Sequence, residues 1–146
     1  MEEIIMKTAK FRVWNGMEMV YDITSGKYGT FYVNPEKGDG LNPQDTASLT
    51  VNTTKYPDGT PVMMWTWCVE DNKVEIYAGD ILKITDEDGN ITFTEVRWYQ
   101  GSLIVEGDFG DYDITTVPWA LEEWHEMDCK VEIAGNIYTT PELLPK

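Results

Sequence analysis

The stretch that decides the fold of this 146-residue chain is Glu75–Ile84, which reads EIYAGDILKI. Its centre, Gly79-Asp80, predicts a tight turn. Glycine adopts backbone conformations that other residues avoid, and a short aspartate side chain accepts hydrogen bonds from nearby backbone N–H groups. The apolar residues on both sides of the turn predict that it connects two short β-strands.

The segment that follows predicts a β-hairpin. Residues 86–90 read DEDGN, and an Asp-Gly pair between two apolar runs is a strong signal for a hairpin turn. The run ITFTEVRW at residues 91–98 predicts a single returning strand, with alternate side chains on opposite faces. Because a Gly-Asp turn that leads into a hairpin is typical of small SH3-like barrels, we predict such a barrel in residues 63–146.

One α-helix is predicted within the barrel region, at residues 117–127. Thr116 is a favourable N-cap residue, and Pro118 is tolerated in the first helical turn. Apolar side chains recur at helical spacing on one face, while glutamates occupy the other. The predicted apolar face consists of Val117, Ala120, Leu121, Trp124 and Met127. We expect the helix to pack Leu121 and Trp124 onto the barrel.

The first part of the chain, residues 1–62, has a different character. Asn15-Gly16 separates two alternating segments and predicts a β-hairpin. Beyond it, glycine and proline are frequent, and only short strands are predicted, at residues 28–33 and 47–51. We therefore predict two parts: an N-terminal hairpin with a Gly/Pro-rich loop region (1–62) and a mainly β barrel with one helix (63–146).

Charge restricts the classes of partner. The formal net charge is −15, and it is unevenly distributed: −3 for residues 1–70 and −12 for residues 71–146. Such a surface repels phosphate groups, so nucleic-acid binding is disfavoured and a basic protein partner is favoured. Nucleic-acid binding is retained as an alternative because Lys7, Lys10 and Arg12 form a small basic cluster.

The sequence predicts a cytoplasmic protein without a cofactor. Cys68 and Cys129 lie far apart and match no CxxC pattern, which indicates free thiols in a reducing compartment. No apolar run reaches the length of a membrane span, and the acidic start of the chain does not have the pattern of a signal peptide. Neither a P-loop nor a GxGxxG motif is present, so no nucleotide cofactor is predicted.

No catalytic constellation is indicated. His125 is the one histidine, and no serine or acid is identifiably placed to form a triad with it. Asp108, Asp111 and Asp113 offer oxygen ligands of the kind that Ca²⁺ and Mg²⁺ prefer, but a solvated acidic loop explains them better, and no metal is predicted. Asp80 is interpreted as a turn carboxylate that accepts backbone hydrogen bonds. An enzyme with metal-assisted hydrolysis is the least favoured alternative.

Four segments together resemble the YopX family of phage and prophage proteins: Lys10–Met17, Glu75–Ile81, Val96–Ser102 and Val131–Leu144. They occur in the family's order and span nearly the whole chain. The chain departs from the family pattern at Lys73, where the family usually has glycine in a turn. The resemblance implies a mainly β protein with an SH3-like barrel in its second half, and it implies no activity.

These observations favour a non-enzymatic phage or prophage accessory protein that binds another protein, and the charge favours a basic partner. SH3-like barrels offer aromatic grooves between their loops, so we name Trp98, Tyr99 and Tyr112 as candidate binding residues. Association of the chain with itself is left open. The discriminating observation is whether these aromatic side chains lie in a groove or in the core.

Overall fold

The computed structural model describes residues 10–23, 30–35, 47–52 and 60–145. In these residues the protein is mainly β, as predicted, with one α-helix and a short 3₁₀ helix, Pro141–Leu143. The remaining elements are, in chain order, β1 (Phe11–Trp14), β2 (Met19–Ile23), β3 (Thr30–Pro35), β4 (Ala47–Asn52), β5 (Thr60–Val69), β6 (Glu75–Tyr77), β7 (Asp80–Thr85), β8 (Ile91–Glu95), β9 (Arg97–Tyr99), β10 (Ser102–Phe109), β11 (Tyr112–Thr116), α1 (Val117–Glu126) and β12 (Lys130–Asn136).

The strands form three sheets. The first has the order β2-β1-β5-β4-β3, and β6 pairs with the far end of β5. The others have the orders β12-β7-β8 and β11-β10-β9. Neighbouring strands are antiparallel throughout the described pairings. Strand β5 crosses the boundary predicted at residues 62 and 63, since it pairs with β4 before that point, with β1 on both sides of it and with β6 after it.

The predicted hairpin is present, but its returning strand is not continuous. It breaks at Val96 into β8 and β9, which belong to different sheets. The N–H of Val96 donates to the carbonyl oxygen of Asp80 at 2.9 Å, and its own carbonyl oxygen accepts from the N–H of Gly79 at 2.8 Å. The Gly79-Asp80 turn therefore fixes the point at which the chain changes sheet, and the prediction of one strand over 91–98 is wrong there.

The predicted helix is confirmed, and its buried residues are Val117, Ala120, Leu121 and Trp124. Met127, which was predicted to share this face, lies beyond the last helical residue and is 45% exposed. Thr116 occupies the N-cap position, but its side chain makes no capping hydrogen bond. The helix ends because Asp128 adopts a left-handed conformation, with a φ of 58°.

The core of the second half lies between the helix and the two smaller sheets. Leu121 and Trp124 belong to one buried apolar cluster with residues from β7, β10 and β12, as expected for a short helix that depends on packing. The whole cluster is Ile76, Leu82, Ile84, Val96, Val105, Phe109, Val117, Ala120, Leu121, Trp124 and Val131.

The turn that leads to β6 contains one residue in a left-handed backbone conformation, and in this chain that residue is a lysine. Lys73 has a φ of 68°, which is unfavourable for any residue with a side chain. The buried carboxylate of Glu70 stabilises the turn, since one of its oxygens accepts from the N–H of Asn72 at 2.6 Å and of Val74 at 3.0 Å. These bonds explain how the turn forms without the glycine.

Candidate functional site

Arg12 of β1 and Asp80 at the start of β7 form a buried ion pair between the first sheet and the Gly79-Asp80 turn. Each residue is only 2% exposed, and Arg12 Nη2 lies 2.9 Å from Asp80 Oδ1. The same Nη2 donates to the carbonyl oxygen of Ala78 at 3.0 Å, and Asp80 Oδ2 accepts from the N–H of Tyr77 at 2.8 Å. We call this arrangement the buried junction. It agrees with the interpretation of Asp80 as a turn carboxylate and adds its partner, Arg12.

Two tyrosines surround the guanidinium of the buried junction. The guanidinium carbon of Arg12 lies 4.8 Å from the ring centroid of Tyr77 and 5.8 Å from that of Tyr21, distances at which a cation is attracted to the ring. Burial raises the pKa of Asp80, while the charge of Arg12 and the N–H of Tyr77 offset part of this effect. The enclosed carboxylate joins Arg12 of β1 to the backbone of the Gly79-Asp80 turn.

Two residues of the basic cluster, for which nucleic-acid binding was retained as an alternative, form ion pairs within the protein. Arg12 is buried against Asp80, and Lys10 forms an ion pair with Glu75 while its Nζ lies 4.4 Å from the ring centroid of Trp65. Lys7 lies outside the described residues. Lys10 and Arg12 are therefore already engaged by carboxylates of the same chain.

His125 is exposed on the helix, as predicted, and has a carboxylate partner. Its Nε2 lies 2.7 Å from Asp71 Oδ1, and Asp71 Oδ2 accepts from the N–H of Val131 at 2.9 Å. Burial raises the pKa of Asp71, but the bond from Val131 and the neighbouring His125 outweigh it, so that the pKa is lowered overall. The pair connects the helix to β12 and to the turn after β5.

The three aromatic residues named as binding candidates are not brought to one place. Trp98 and Tyr99 are half-buried on β9 and pair with Leu103 and Ser102 at the start of β10. Tyr112, which is 67% exposed, pairs with Phe109 at the other end of β10. Six residues of β10 separate the two positions, roughly 20 Å along an extended strand. Trp98 and Tyr99 are adjacent on β9, so their side chains point to opposite faces of the sheet, and Tyr112 lies at the other end of β10.

An acidic groove lies between β8, the end of β10 and the end of the helix, with a volume of about 420 Å³. Its apolar lining includes residues of the core and the helix, and its acidic residues come from the loop after β7 and from β10. No lysine or arginine lines it. The lining residues are Ile84, Asp86, Asn90, Thr92, Phe93, Glu106, Gly107, Asp108, Trp124, Met127 and Cys129.

The groove depends on a close approach of rings at Gly107. A Cβ atom at this position would lie 2.8 Å from the ring of Phe109 and 3.5 Å from the ring of Trp124. Any larger residue at position 107 would therefore displace the ring of Phe109, which packs against the ring of Trp124 in the groove. The thiol of Cys129 is kept protonated here, because burial and the charges of Asp86 and Asp128 raise its pKa.

A second cavity of about 180 Å³ is lined by Leu144 and Pro145 among others. A hydrogen bond of 2.9 Å from the N–H of Glu106 to Thr94 Oγ1 connects β10 to β8. Phe93 and Glu106 line both cavities. The side chain of Glu106 is paired with Arg97 at 2.7 Å, so Asp86 and Asp108 supply the uncompensated charge of the groove.

Sequence reasoning did not find this groove. It singled out Asp108 and the loop at residues 86–90 as acidic, but it placed neither beside the helix. Asp86 holds its own loop, since its carboxylate accepts from the N–H groups of Asp88 and Asn90, and the bond from Asn90 is the main reason that its pKa is lowered. No three His, Cys, Asp or Glu side chains in the described parts of the chain lie close enough together to bind a metal ion.

Comparisons with known proteins agree on the fold. A crystal structure of protein yopX from Bacillus subtilis is similar with a TM-score of 0.52 and 24% identity, covering 93% of this chain and 98% of that one. A crystal structure of protein EF1440 from Enterococcus faecalis is similar with a TM-score of 0.53 and 22% identity, covering 94% and 98%. No curated protein matches the chain. No described helix is both long and apolar enough to cross a membrane.

The family model described as YopX protein matches residues 10–145. This match covers nearly the whole sequence, including the four segments from which the resemblance was first drawn. The chain therefore belongs to the YopX family.

Proposed function

We propose that this protein is a non-enzymatic module that binds a basic segment of another protein, and that the acidic groove is its binding site. One observation carries the proposal. An apolar cavity floor, with Phe93 and Trp124, lies beside Asp86 and Asp108 without a lining lysine or arginine. Such a site favours a ligand that carries both apolar groups and positive charge.

The dimensions of the groove fit a short segment of a partner. A volume of about 420 Å³ lies within the range of roughly 300–1,000 Å³ of sites that hold small ligands or a few side chains. Burial of apolar groups would supply most of the affinity, at about 25 cal/mol per Å² of apolar surface removed from water. The net charge of −15 would raise the association rate of a basic partner and reject acidic ones.

The alternative of nucleic-acid binding is less well supported. Phosphate groups are repelled by the same charge that attracts a basic peptide. Of the residues that formed the basic cluster, Lys10 is paired with Glu75 and Arg12 with Asp80. A nucleic-acid site would have to be built without these two cations.

The finer features of the prediction belong to this proposal. An SH3-like barrel in residues 63–146 is supported by two three-stranded sheets around one core, joined where β8 continues into β9. Trp98 and Tyr99, on β9, are proposed as further contact residues, one on each face of the sheet at the start of β10. A phage or prophage accessory role follows from the family resemblance alone.

The test is selection from a library of random twelve-residue peptides by the intact protein. We expect the retained peptides to be enriched in lysine and arginine together with apolar residues. The variant Asp86→Asn/Asp108→Asn should lose most of this enrichment. Asparagine keeps a carbonyl oxygen that can accept the backbone N–H bonds of Asp88 and Asn90, and it loses only the exposed side-chain bond from Asn90 Nδ2 to Asp86 Oδ2.

The matched control is Asp111→Asn/Asp113→Asn. It removes the same amount of charge from exposed positions that do not line the groove. If the two double variants lose the same enrichment, overall charge and not the groove selects the peptides. If the native protein retains basic and acidic peptides equally, the proposed function is wrong.

A further inference from the structure

Strand β8 presents an open edge beside the acidic groove. Among the described strands it pairs with β7 alone. Each end of the β7–β8 pairing has a backbone hydrogen bond of 2.9 Å: the N–H of Asp86 donates to Asn90 at one end, and the N–H of Val96 donates to Asp80 at the other. The register between these two ends has no shift. Hydrogen-bonded and non-bonded pairs alternate in an antiparallel ladder. The backbone N–H and C=O groups of Ile91 and Phe93 therefore point away from β7.

This edge lacks the features that protect edge strands from pairing. Residues 91–94 read ITFT, a run of β-branched and aromatic residues without charge or proline. The opposite edge of the same sheet, β12, carries Lys130 and Glu132. Charged residues, proline and bulges are the usual means by which a protein blocks an edge, and an uncharged edge with high β-propensity is a template for another strand. Ile91 is also 50% exposed.

We propose that the partner segment binds by strand addition: it extends along β8 and forms backbone hydrogen bonds with Ile91 and Phe93. This rests on the proposed function and specifies how the segment is held. Side chains of an added strand alternate between two faces. One row would point to the face of Ile84 and Thr92, into the acidic groove, and the other row would point outward.

The geometry also limits the length of the added strand. The hydrogen bond between Thr94 Oγ1 and the N–H of Glu106 closes the gap between β8 and β10 at Thr94. Pairing is therefore confined to the part of β8 before Thr94. This short stretch offers few backbone bonds, so side chains in the groove must provide the rest of the affinity.

The occupant is a partner segment in which apolar and basic residues alternate, and not a second copy of this chain. Two copies would each bring a net charge of −15 and would place the acidic residues of two grooves close together. The basic row of such a segment faces the groove and meets Asp86 and Asp108 with charges of opposite sign. Its apolar row lies on the other face of the sheet, beside Ile91 and Phe93.

The probe is a synthetic octapeptide of four valine–lysine repeats with blocked ends, titrated into the intact protein by calorimetry. Three analogues accompany it: one with glutamate for lysine, one with the four valines before the four lysines, and one N-methylated at every second residue. N-methylation removes backbone donors and obstructs one edge of the peptide but keeps all side chains and charges. Amide hydrogen exchange of the protein locates the contact.

We expect the alternating peptide to bind, the glutamate analogue not to bind, and N-methylation to raise Kd at least about tenfold, which corresponds to about 1.4 kcal/mol. The N–H groups of Ile91 and Phe93 should exchange more slowly when the peptide is bound. If the N-methylated and block-order peptides bind as well as the first and the exchange is unchanged, strand addition is wrong and the proposed function stands.

Two other outcomes would contradict the proposed function or the inferred partner. If the lysine and glutamate peptides bind equally, or neither binds, the proposed function fails together with strand addition. If Ile91 and Phe93 are already protected without peptide, and the protection grows with protein concentration in parallel with a dimer in solution, the edge is occupied by a second copy and the inferred partner is wrong.

Discussion

The buried junction and the acidic groove place similar side chains in opposite surroundings. At the junction, Asp80 is enclosed, bonded to Arg12 and to the N–H of Tyr77, and cut off from water. In the groove, Asp86 and Asp108 lie at an open cavity beside an apolar floor with no lining cation. A carboxylate that is already satisfied inside the protein stabilises the fold, whereas one left without a cation beside apolar surface remains available to a partner.

The largest effect is expected at the junction, for Asp80→Ala. This change leaves the charge of Arg12 buried and unpaired, which costs about 3–5 kcal/mol, and removes the acceptor of the Tyr77 N–H, which costs about 1–3 kcal/mol more. Urea unfolding followed by fluorescence measures the loss. A double variant, Arg12→Met/Asp80→Ala, should be less destabilised than Asp80→Ala. If it is more destabilised, the two side chains act independently and the ion pair is not what stabilises the junction.

The next largest effect is expected for Trp124→Ala, because this side chain belongs both to the core and to the floor of the groove. Truncation of a buried tryptophan costs about 3–5 kcal/mol. Glu123→Ala, at a half-buried neighbouring position on the helix, should change the free energy of unfolding much less. If Trp124→Ala unfolds at the same urea concentration as the native protein, the helix does not depend on this residue for its packing.

These two sites also show what the sequence could and could not predict. The helix was predictable because its apolar residues recur at helical spacing. The hairpin was predictable because the Asp88-Gly89 turn depends only on residues that are adjacent in the chain. The ion pair joins residues 12 and 80, far apart in the chain, so nothing near Arg12 indicates that it is buried. The break at Val96 was missed for a similar reason, since it depends on bonds to Gly79 and Asp80.

The groove was harder still to predict. It brings together a hairpin loop, the end of β10, the end of the helix and Cys129, and each of these is ordinary when considered alone. Composition gave the correct sign of the charge in this half of the chain. Which acidic residues face an apolar cavity depends on how the two sheets and the helix pack, and the pattern along the chain does not contain that information.

A moderate, pH-dependent effect on the free energy of unfolding is expected for Asp71, which is hydrogen-bonded like Asp80 but partly exposed. Its side chain is 27% exposed, so a loss of about 1 kcal/mol is expected for Asp71→Asn at neutral pH, in the range of a single hydrogen bond. The pKa of Asp71 is lowered by folding, so its contribution is present above the ordinary value of 3.8 and is lost as the pH falls through and below it.

The measurement is the free energy of unfolding of both proteins between pH 7 and pH 2.5. The difference between native protein and Asp71→Asn should shrink as the pH falls through the ordinary carboxyl value of 3.8 and below it. Asp113→Asn, at an exposed position, provides the control for a change of one charge. A difference that is undiminished at pH 2.5 would contradict the lowered pKa.

The smallest effect on stability, and the sharpest contrast with Asp80, is expected for Asp86→Asn/Asp108→Asn. Surface substitutions that leave hydrogen bonds in place change stability little, and removing two negative charges from a protein of net charge −15 relieves repulsion. The urea midpoint should therefore match that of the native protein, while binding of the valine–lysine octapeptide should weaken markedly. Asp80→Ala should show the reverse at temperatures where it remains folded: a lower midpoint and unchanged binding. If the groove variant instead unfolds at a clearly lower urea concentration, its two carboxylates stabilise the loops as Asp80 stabilises the junction, and the distinction between the two regions does not hold.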